Sequence, residues 1–137
     1  MKIRNLLSIA ALTLMAGVTS AGLVQPAVVT VDLTNRMAQG DQLTARISKN
    51  NVEFIGCGIR LFDVGTETAE FGFCQAADSE DVHIVCLTQN GELLEAMRAT
   101  SAFAFITFSW DENDECTRIG FSTQSFYLPD FKKKGKK

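Results

Sequence analysis

Apolar and polar residues alternate along several short stretches of the chain, and this alternation is typical of β-strands with one buried face. The stretches are residues 27–33, 52–62, 71–74, 82–86, 103–110 and 116–127. Residues 103–110 are apolar on both faces, which predicts a central or covered strand. Residues 71–74 and 82–86 are expected to form a β-hairpin. Residues 116–127 are expected to return antiparallel to 103–110 after an acidic turn at 111–115.

One helix is predicted, over roughly residues 91–100. Asn90 can cap its first turn, Glu92 lies at the positive end of the helix dipole, and Arg98 lies near the negative end. Its apolar residues fall on one face, which indicates ordinary packing against a core rather than a groove for a partner.

Two segments carry mixed signals. Residues 35–41 are polar and contain a glycine, which favours a turn or a short helix, and residues 43–48 fit either a helix or a strand. Gly56 and Gly58 flank Cys57 in a predicted strand, which indicates a bulge or a close approach of another backbone. Taken together, the pattern predicts a mainly β (α+β) fold, an antiparallel sheet with one short helix.

The N-terminus has the three parts of a cleavable signal peptide. Lys2 and Arg4 precede an apolar run at residues 6–16, and cleavage after Ala21 fits the small-residue requirement better than cleavage after Ser20. The apolar run is too short for a membrane anchor, which needs about 20 residues. We therefore expect Sec-type export from a bacterium to the periplasm or the medium, with no transmembrane segment after cleavage.

The boundaries that follow are a signal peptide at residues 1–21, a single globular domain at 22–131 and a basic, disordered tail at 132–137. Four cysteines lie in the globular part: Cys57, Cys74, Cys86 and Cys116. An even number of cysteines in an oxidising compartment predicts two disulfides.

The predicted hairpin favours a pairing of Cys74 with Cys86, because the two cysteines lie symmetrically about its turn. Cys57 would then pair with Cys116. A zinc site built from all four is disfavoured, because zinc ribbons use closely spaced Cys-x-x-Cys pairs and this chain has none.

Charge is distributed unevenly. Residues 22–131 hold six basic side chains against all 16 acidic ones, a formal net charge of −10. The C-terminal run contains five lysines: Lys132, Lys133, Lys134, Lys136 and Lys137. This tail either contacts an anionic surface peripherally or folds back loosely over the acidic body. The acidic body argues against a nucleic-acid partner.

The acidic turn has one feature of a calcium site, because Asp111, Asn113 and Glu115 have the spacing of the first three ligands of a calcium loop. Cys116 stands where that loop requires glycine, and Ser122 stands where it requires a bidentate glutamate. A solvated hairpin turn is therefore the preferred interpretation, and no metal site is predicted.

Catalytic constellations are absent from the sequence. Its single histidine, His83, lies in a predicted strand without a cysteine or carboxylate cluster around it, and residues 120–124 begin like a nucleophile elbow but lack its closing glycine. We predict no catalytic residues, no cofactor and no enzymatic activity.

Several short motifs together resemble a group of small, uncharacterised exported bacterial proteins with four cysteines. The motifs are Arg46-Ile47-Ser48, Ile55-Gly56-Cys57, Cys74, Cys86, Ser101 with Phe108, Cys116, and Ser125-Phe126-Tyr127-Leu128-Pro129. The resemblance covers roughly residues 46–129 and implies a shared disulfide-bearing fold, but no activity or ligand. The acidic turn at 111–115 and the lysine tail depart from the group's pattern.

The preferred hypothesis is a small exported binding or interaction module whose partner is an unknown protein or envelope component. A secreted inhibitor or effector that acts on a host or competitor enzyme is the alternative, and deletion of residues 111–115 should abolish inhibition in that case. A small periplasmic hydrolase is the second alternative, and it requires a concave pocket with perturbed carboxylates.

Overall fold

A computed structural model describes residues 22–129. The predicted signal peptide and the lysine run lie outside the described residues. The elements, in chain order, are β1 (Thr30–Asp32), β2 (Met37–Asp41), α1 (Gln42–Ile47), β3 (Phe54–Asp63), β4 (Thr68–Ala77), β5 (His83–Thr88), α2 (Gly91–Ala99), β6 (Phe105–Trp110), β7 (Cys116–Ser122) and a 3-10 turn (Ser125–Tyr127).

The strands form two antiparallel sheets, one of four strands in the order β1-β2-β6-β7 and one of three strands in the order β3-β4-β5. The predicted fold class, mainly antiparallel β with a short helix, is confirmed. The core lies between the inner faces of the two sheets. Its largest fully buried apolar side chains are Phe108 and Ile106. Both belong to β6, which is central between β2 and β7 as its two apolar faces predicted.

Helix α2 covers part of the inner face of the three-stranded sheet. As predicted, Asn90 caps it, since the Asn90 side chain accepts hydrogen bonds from the backbone N–H groups of Glu92 and Leu93 at 3.0 and 3.1 Å. Leu94 and Met97 are buried against Gly72 of β4, where a Cβ atom would overlap both side chains. No helix within residues 22–129 is long and apolar enough to span a bilayer.

One local prediction is corrected by the pairing of β2. Met37–Asp41 forms a strand rather than a turn or short helix, because β1 and β6 supply hydrogen-bond partners on both of its sides. A close backbone approach is required at Gly40, where a Cβ atom would lie 2.9 Å from the Cα atom of Val29. The ambiguous segment 43–48 is mostly helical and belongs to α1.

The longest pairing in the molecule joins β3 to β4 over ten residue pairs, from Phe54↔Ala77 to Asp63↔Thr68. The predicted hairpin of β4 with β5 is also present, but β5 pairs only with Gly72–Ala77 of β4. The distal half of the β3–β4 hairpin, residues 60–71, therefore extends beyond β5 as a two-stranded ribbon.

The disulfide pairing predicted from the sequence is wrong. The disulfides join Cys57 to Cys74 and Cys86 to Cys116. Cys74 does lie directly opposite Cys86, as the hairpin predicted. However, β4 is the central strand of its sheet, so Cys74 also lies opposite Cys57 on the other side, and it is bonded there. Cys86 is bonded instead to Cys116, which links the two sheets.

Candidate functional site

The outer face of the three-stranded sheet carries the main exposed apolar surface of this half of the molecule. The strand register places Val85 beside Gln75, Leu87 beside Phe73, and Phe71 beside Arg60. Val85 and Leu87 are each about half exposed, at 48% and 50%. Most of these neighbouring side chains are apolar or aromatic, so they form a continuous patch. We use the name outer face for this patch, which consists of Phe71, Phe73, Val85 and Leu87 together with Arg60 and Gln75.

Aromatic stacking extends the outer face along the projecting ribbon. The rings of Phe62 and Phe71 stack with centroids 5.9 Å apart, and Phe62 remains 49% exposed. The Arg60 guanidinium lies over the Phe73 ring, 4.7 Å from its centroid, in a cation–π arrangement. Leu61 and Val64 add further exposed apolar area at the distal end of the ribbon.

Two glycines on β3 make the outer face shallow. Gly56 pairs with Gln75 and Gly58 pairs with Phe73, so neither β3 position contributes a side chain to the face. A Cβ atom at Gly58 would lie 3.0 Å from the Phe73 ring, whereas one at Gly56 would meet nothing within 4 Å. The Phe73 ring therefore lies across Gly58, which accounts for one of the two glycines that flank Cys57.

An open groove of about 700 Å³ runs along the β5 edge of the outer face. Its apolar wall is formed by Phe71, Val85 and Leu87, and its acidic wall by Asp114 and Glu115 of the β6–β7 turn. Within residues 22–129, neither of these two carboxylates takes part in an ion pair. The groove thus combines exposed apolar area with negative charge that no ion pair among the described residues compensates.

The acidic wall is held firmly against β5. The backbone N–H of Leu87 donates a hydrogen bond to the carbonyl of Asp114 at 3.0 Å, and Leu87 forms a short parallel bridge with Glu115. Cys116 follows Glu115 and Cys86 precedes Leu87, and these two cysteines form the second disulfide. A covalent cross-link and a backbone hydrogen bond therefore fix the distance between the two walls.

Asp111 organises the turn from within. One of its carboxylate oxygens accepts hydrogen bonds from the backbone N–H groups of Glu115 and Asn113, at 3.0 and 2.9 Å. These two bonds hold the pKa of the Asp111 carboxyl below its ordinary value, and the bond from Glu115 has the larger effect. Of the three residues in the calcium-like spacing, Asp111 is thus occupied in stabilising the turn. Glu115 lines the groove.

Outside the acidic turn, the potential metal ligands that come together are sulfur atoms rather than carboxylate oxygens. Among the described residues, the one group of at least three possible metal ligands consists of Cys74, Cys86 and Cys116, whose sulfur atoms lie within 4.8 Å of one another. Asp111 and Glu115 do not belong to such a group. His83 is exposed on β5, where its ring contacts the Asp81 carboxylate and packs edge-on against Phe54.

The outer face could not be recognised from the sequence without the pairing of β3 with β4. Phe71 and Phe73 are evident as strand residues, but the face they occupy becomes visible only once their partners on β3 and β5 are known. The acidic turn is evident as a feature, although its position beside Leu87 depends on a contact between the two sheets.

Comparison with known proteins adds no constraint: the chain matches no family model, no curated protein and no solved structure.

Proposed function

We propose that this protein is an exported, non-catalytic binding module whose partner docks on the outer face and in the groove beside it. The observation that carries the proposal is the juxtaposition of Val85 and Leu87, each about half exposed, with the acidic wall of Asp114 and Glu115. Large exposed apolar patches bordered by polar residues commonly mark interaction sites.

The chemistry of the groove favours a partner protein segment that presents apolar side chains next to positive charge. Phe62, Val85 and Leu87 are each about half exposed. Completing the burial of one such side chain is worth about 1 kcal/mol. A lysine or arginine of the partner would complement Asp114 and Glu115, which improves selectivity and the rate of association. The firmly held turn keeps the ordering cost of binding low.

Export is supported by the two disulfides, which are compatible with a periplasmic or extracellular location and are rare in a reducing cytoplasm. The predicted signal peptide supports the same location.

A secreted enzyme inhibitor is the second candidate, and the projecting β3–β4 ribbon favours it. Leu61, Phe62 and Val64 are exposed at the distal end of this two-stranded ribbon, where they are available to enter a cleft of another protein. In this form of the alternative the inhibitory segment is the ribbon's distal end and not the acidic turn expected from the sequence, so substitutions at that end, rather than deletion of residues 111–115, would abolish binding.

The first test is site-specific photo-cross-linking in the cells that produce the protein. In separate variants, a photoreactive residue replaces Leu87 in the groove, Phe62 on the ribbon or, as a control, Leu33 on the four-stranded side, which has a similar exposure of 57%. We expect one discrete protein adduct from position 87 and none from position 33. The same adducts from both positions, or none from position 87, would contradict the proposed surface. An adduct obtained only from position 62 would support the ribbon alternative.

The chemistry is tested with a defined probe, a short peptide of alternating lysine and leucine residues, beside its glutamate–leucine counterpart. The lysine peptide should bind and the glutamate peptide should not. Leu87→Lys should weaken binding about tenfold, since it removes about 1 kcal/mol of apolar contact and adds like charge. Leu33→Lys should leave binding unchanged. Equal binding of the two peptides would refute the role of the acidic wall.

A further inference from the structure

All four cysteines converge at one level on the inner face of the three-stranded sheet. Cys57, Cys74 and Cys86 occupy directly opposed positions on β3, β4 and β5, so their side chains point to the same side. Cys116 reaches this point from β7 of the other sheet, where it is bonded to Cys86. Two disulfides that are far apart in sequence therefore lie side by side in the core.

Three of the four sulfur positions are close to those of a tetrahedral metal centre. Zinc–thiolate bonds of about 2.3 Å place the four sulfurs of such a centre about 3.8 Å apart. The sulfurs of Cys74, Cys86 and Cys116 already lie within 4.8 Å of one another, and the sulfur of Cys57 is bonded to that of Cys74. The Cys57 sulfur lies outside this group of three, so it must move toward Cys86 and Cys116 to complete the tetrahedron once the disulfides are opened.

The surroundings select for a sulfur-seeking cation. Cys74 and Cys86 are fully buried and Cys116 is 5% exposed, and all three belong to a cluster of apolar residues that includes Ile55 and Ala76. The ligand group contains sulfur alone, without histidine or carboxylate. Sites made only of thiolates favour cations such as Zn²⁺, Cd²⁺ and Cu⁺.

We infer that the reduced form of this protein binds one thiophilic metal ion through Cys57, Cys74, Cys86 and Cys116, in place of its two disulfides. One dithiol molecule per disulfide transfers two electrons and two protons to it, and is itself oxidised to a disulfide. Four cysteine thiols result. The cation then bonds to the sulfurs as thiolates, and the displaced protons pass to solvent. The bound cation joins the same four points of the chain that the disulfides joined.

The absence of Cys-x-x-Cys pairs is an argument against a zinc ribbon, but it is not an argument against this arrangement. In a zinc ribbon, two ligands come from one tight turn. Here three ligands come from three adjacent strands, and the antiparallel register brings them together whatever their separation along the chain.

The test uses the folded, oxidised protein, reduced with dithiothreitol and freed of it by anaerobic gel filtration. Co²⁺ is the probe, because tetrahedral thiolate coordination gives it intense visible absorption. We expect one Co²⁺ per chain, displaced by one equivalent of Zn²⁺, and binding at least about tenfold tighter than that of the reduced chain in concentrated urea, because the fold preorganises the ligands. The oxidised protein should bind none.

Two variants distinguish the thiolate site from cobalt binding by carboxylates. Cys57→Ser should reduce the thiolate-to-cobalt charge-transfer absorption by about a quarter, since one of four bonds is lost. The double substitution Asp114→Asn with Glu115→Gln should leave cobalt binding unchanged, because these acidic side chains are not ligands.

Three outcomes would overturn the inference: no stoichiometric binding, a tetrahedral signal that survives loss of two cysteines, or equal affinity in urea and in native buffer. If the reduced chain unfolds without metal, Co²⁺ must restore the emission of buried Trp110. Failure to restore it would also overturn the inference, because the site would not belong to the native fold.

Discussion

Asp41 is the one buried carboxylate among residues 22–129, and its removal should be among the most destabilising single substitutions. It is 1% exposed and ends β2 as the N-cap of α1. One carboxylate oxygen accepts a hydrogen bond from the backbone N–H of Thr44 at 2.7 Å, and the other accepts one from the backbone N–H of Ala27 at 2.6 Å and one from the Thr44 hydroxyl at 2.6 Å. Asp41 thus ties the N-terminal segment to the first helix.

The magnitude follows from the two backbone N–H groups. Asp41→Ala leaves both without their acceptor in a partly buried site, and each unsatisfied group costs about 1–3 kcal/mol. The lost cap is one of these two interactions, with a typical effect of about 1 kcal/mol by itself. We expect the free energy of unfolding to fall by about 3 kcal/mol, which for a domain of this size lowers the melting temperature by about 12 °C or more.

A matched control is available in Asp32. Its carboxylate also accepts three hydrogen bonds, from the backbone N–H groups of Thr34 and Asn35 and from the Asn35 side chain, but it is exposed to solvent. Water can replace Asp32 as the acceptor, so Asp32→Ala should lower the stability clearly less than Asp41→Ala. The two substitutions remove the same atoms and the same number of hydrogen bonds, and they differ in burial.

Urea unfolding provides the assay, because the only tryptophan of the chain, Trp110, is buried at 6% exposure and its fluorescence reports global unfolding. The urea concentration at the unfolding midpoint should fall strongly for Asp41→Ala, while the dependence of the unfolding free energy on urea concentration stays unchanged. Asp41→Asn should fall between this variant and the wild type, because its amide retains one acceptor oxygen. If Asp41→Ala costs no more than Asp32→Ala, the assigned role of buried hydrogen bonds is incorrect.

Two further predictions concern packing and pH. Gly72→Ala should lower the free energy of unfolding by about 1–3 kcal/mol, because the added methyl group overlaps the Met97 sulfur. Gly56→Ala has open space around the added methyl group and should be neutral or slightly stabilising. Equal effects of the two substitutions in urea unfolding would contradict the packing assigned to α2. The pKa of Asp111 is lowered in the folded state, chiefly by the hydrogen bond from the backbone N–H of Glu115. The ionised carboxylate therefore stabilises the fold fully above the ordinary carboxyl pKa of about 3.9. This stabilisation is lost as the pH falls through the lower folded-state pKa. The stability difference between wild type and Asp111→Ala should therefore be constant above about pH 5 and shrink below about pH 4, and a difference that grows on acidification would show that the sign is wrong.

Several features of this protein could be predicted from local pattern alone. The double-sided apolar character of β6 indicated a central strand, and the Asn90 cap marked the start of α2. The predicted turn at residues 77–81 placed Cys74 opposite Cys86. In each case the signal and the structure it specifies lie within about a dozen residues, so side-chain periodicity, capping and turn chemistry are sufficient.

The remaining features depend on contacts between distant segments. Met37–Asp41 becomes a strand because partners on both sides outweigh its weak strand propensity. The disulfides follow the central position of β4, which offers Cys74 a partner on each side. The outer face and its acidic wall come together only when β5 meets the β6–β7 turn. Local propensity carries no information about which distant strands pair, and it is that pairing which creates the candidate binding surface and the cysteine cluster.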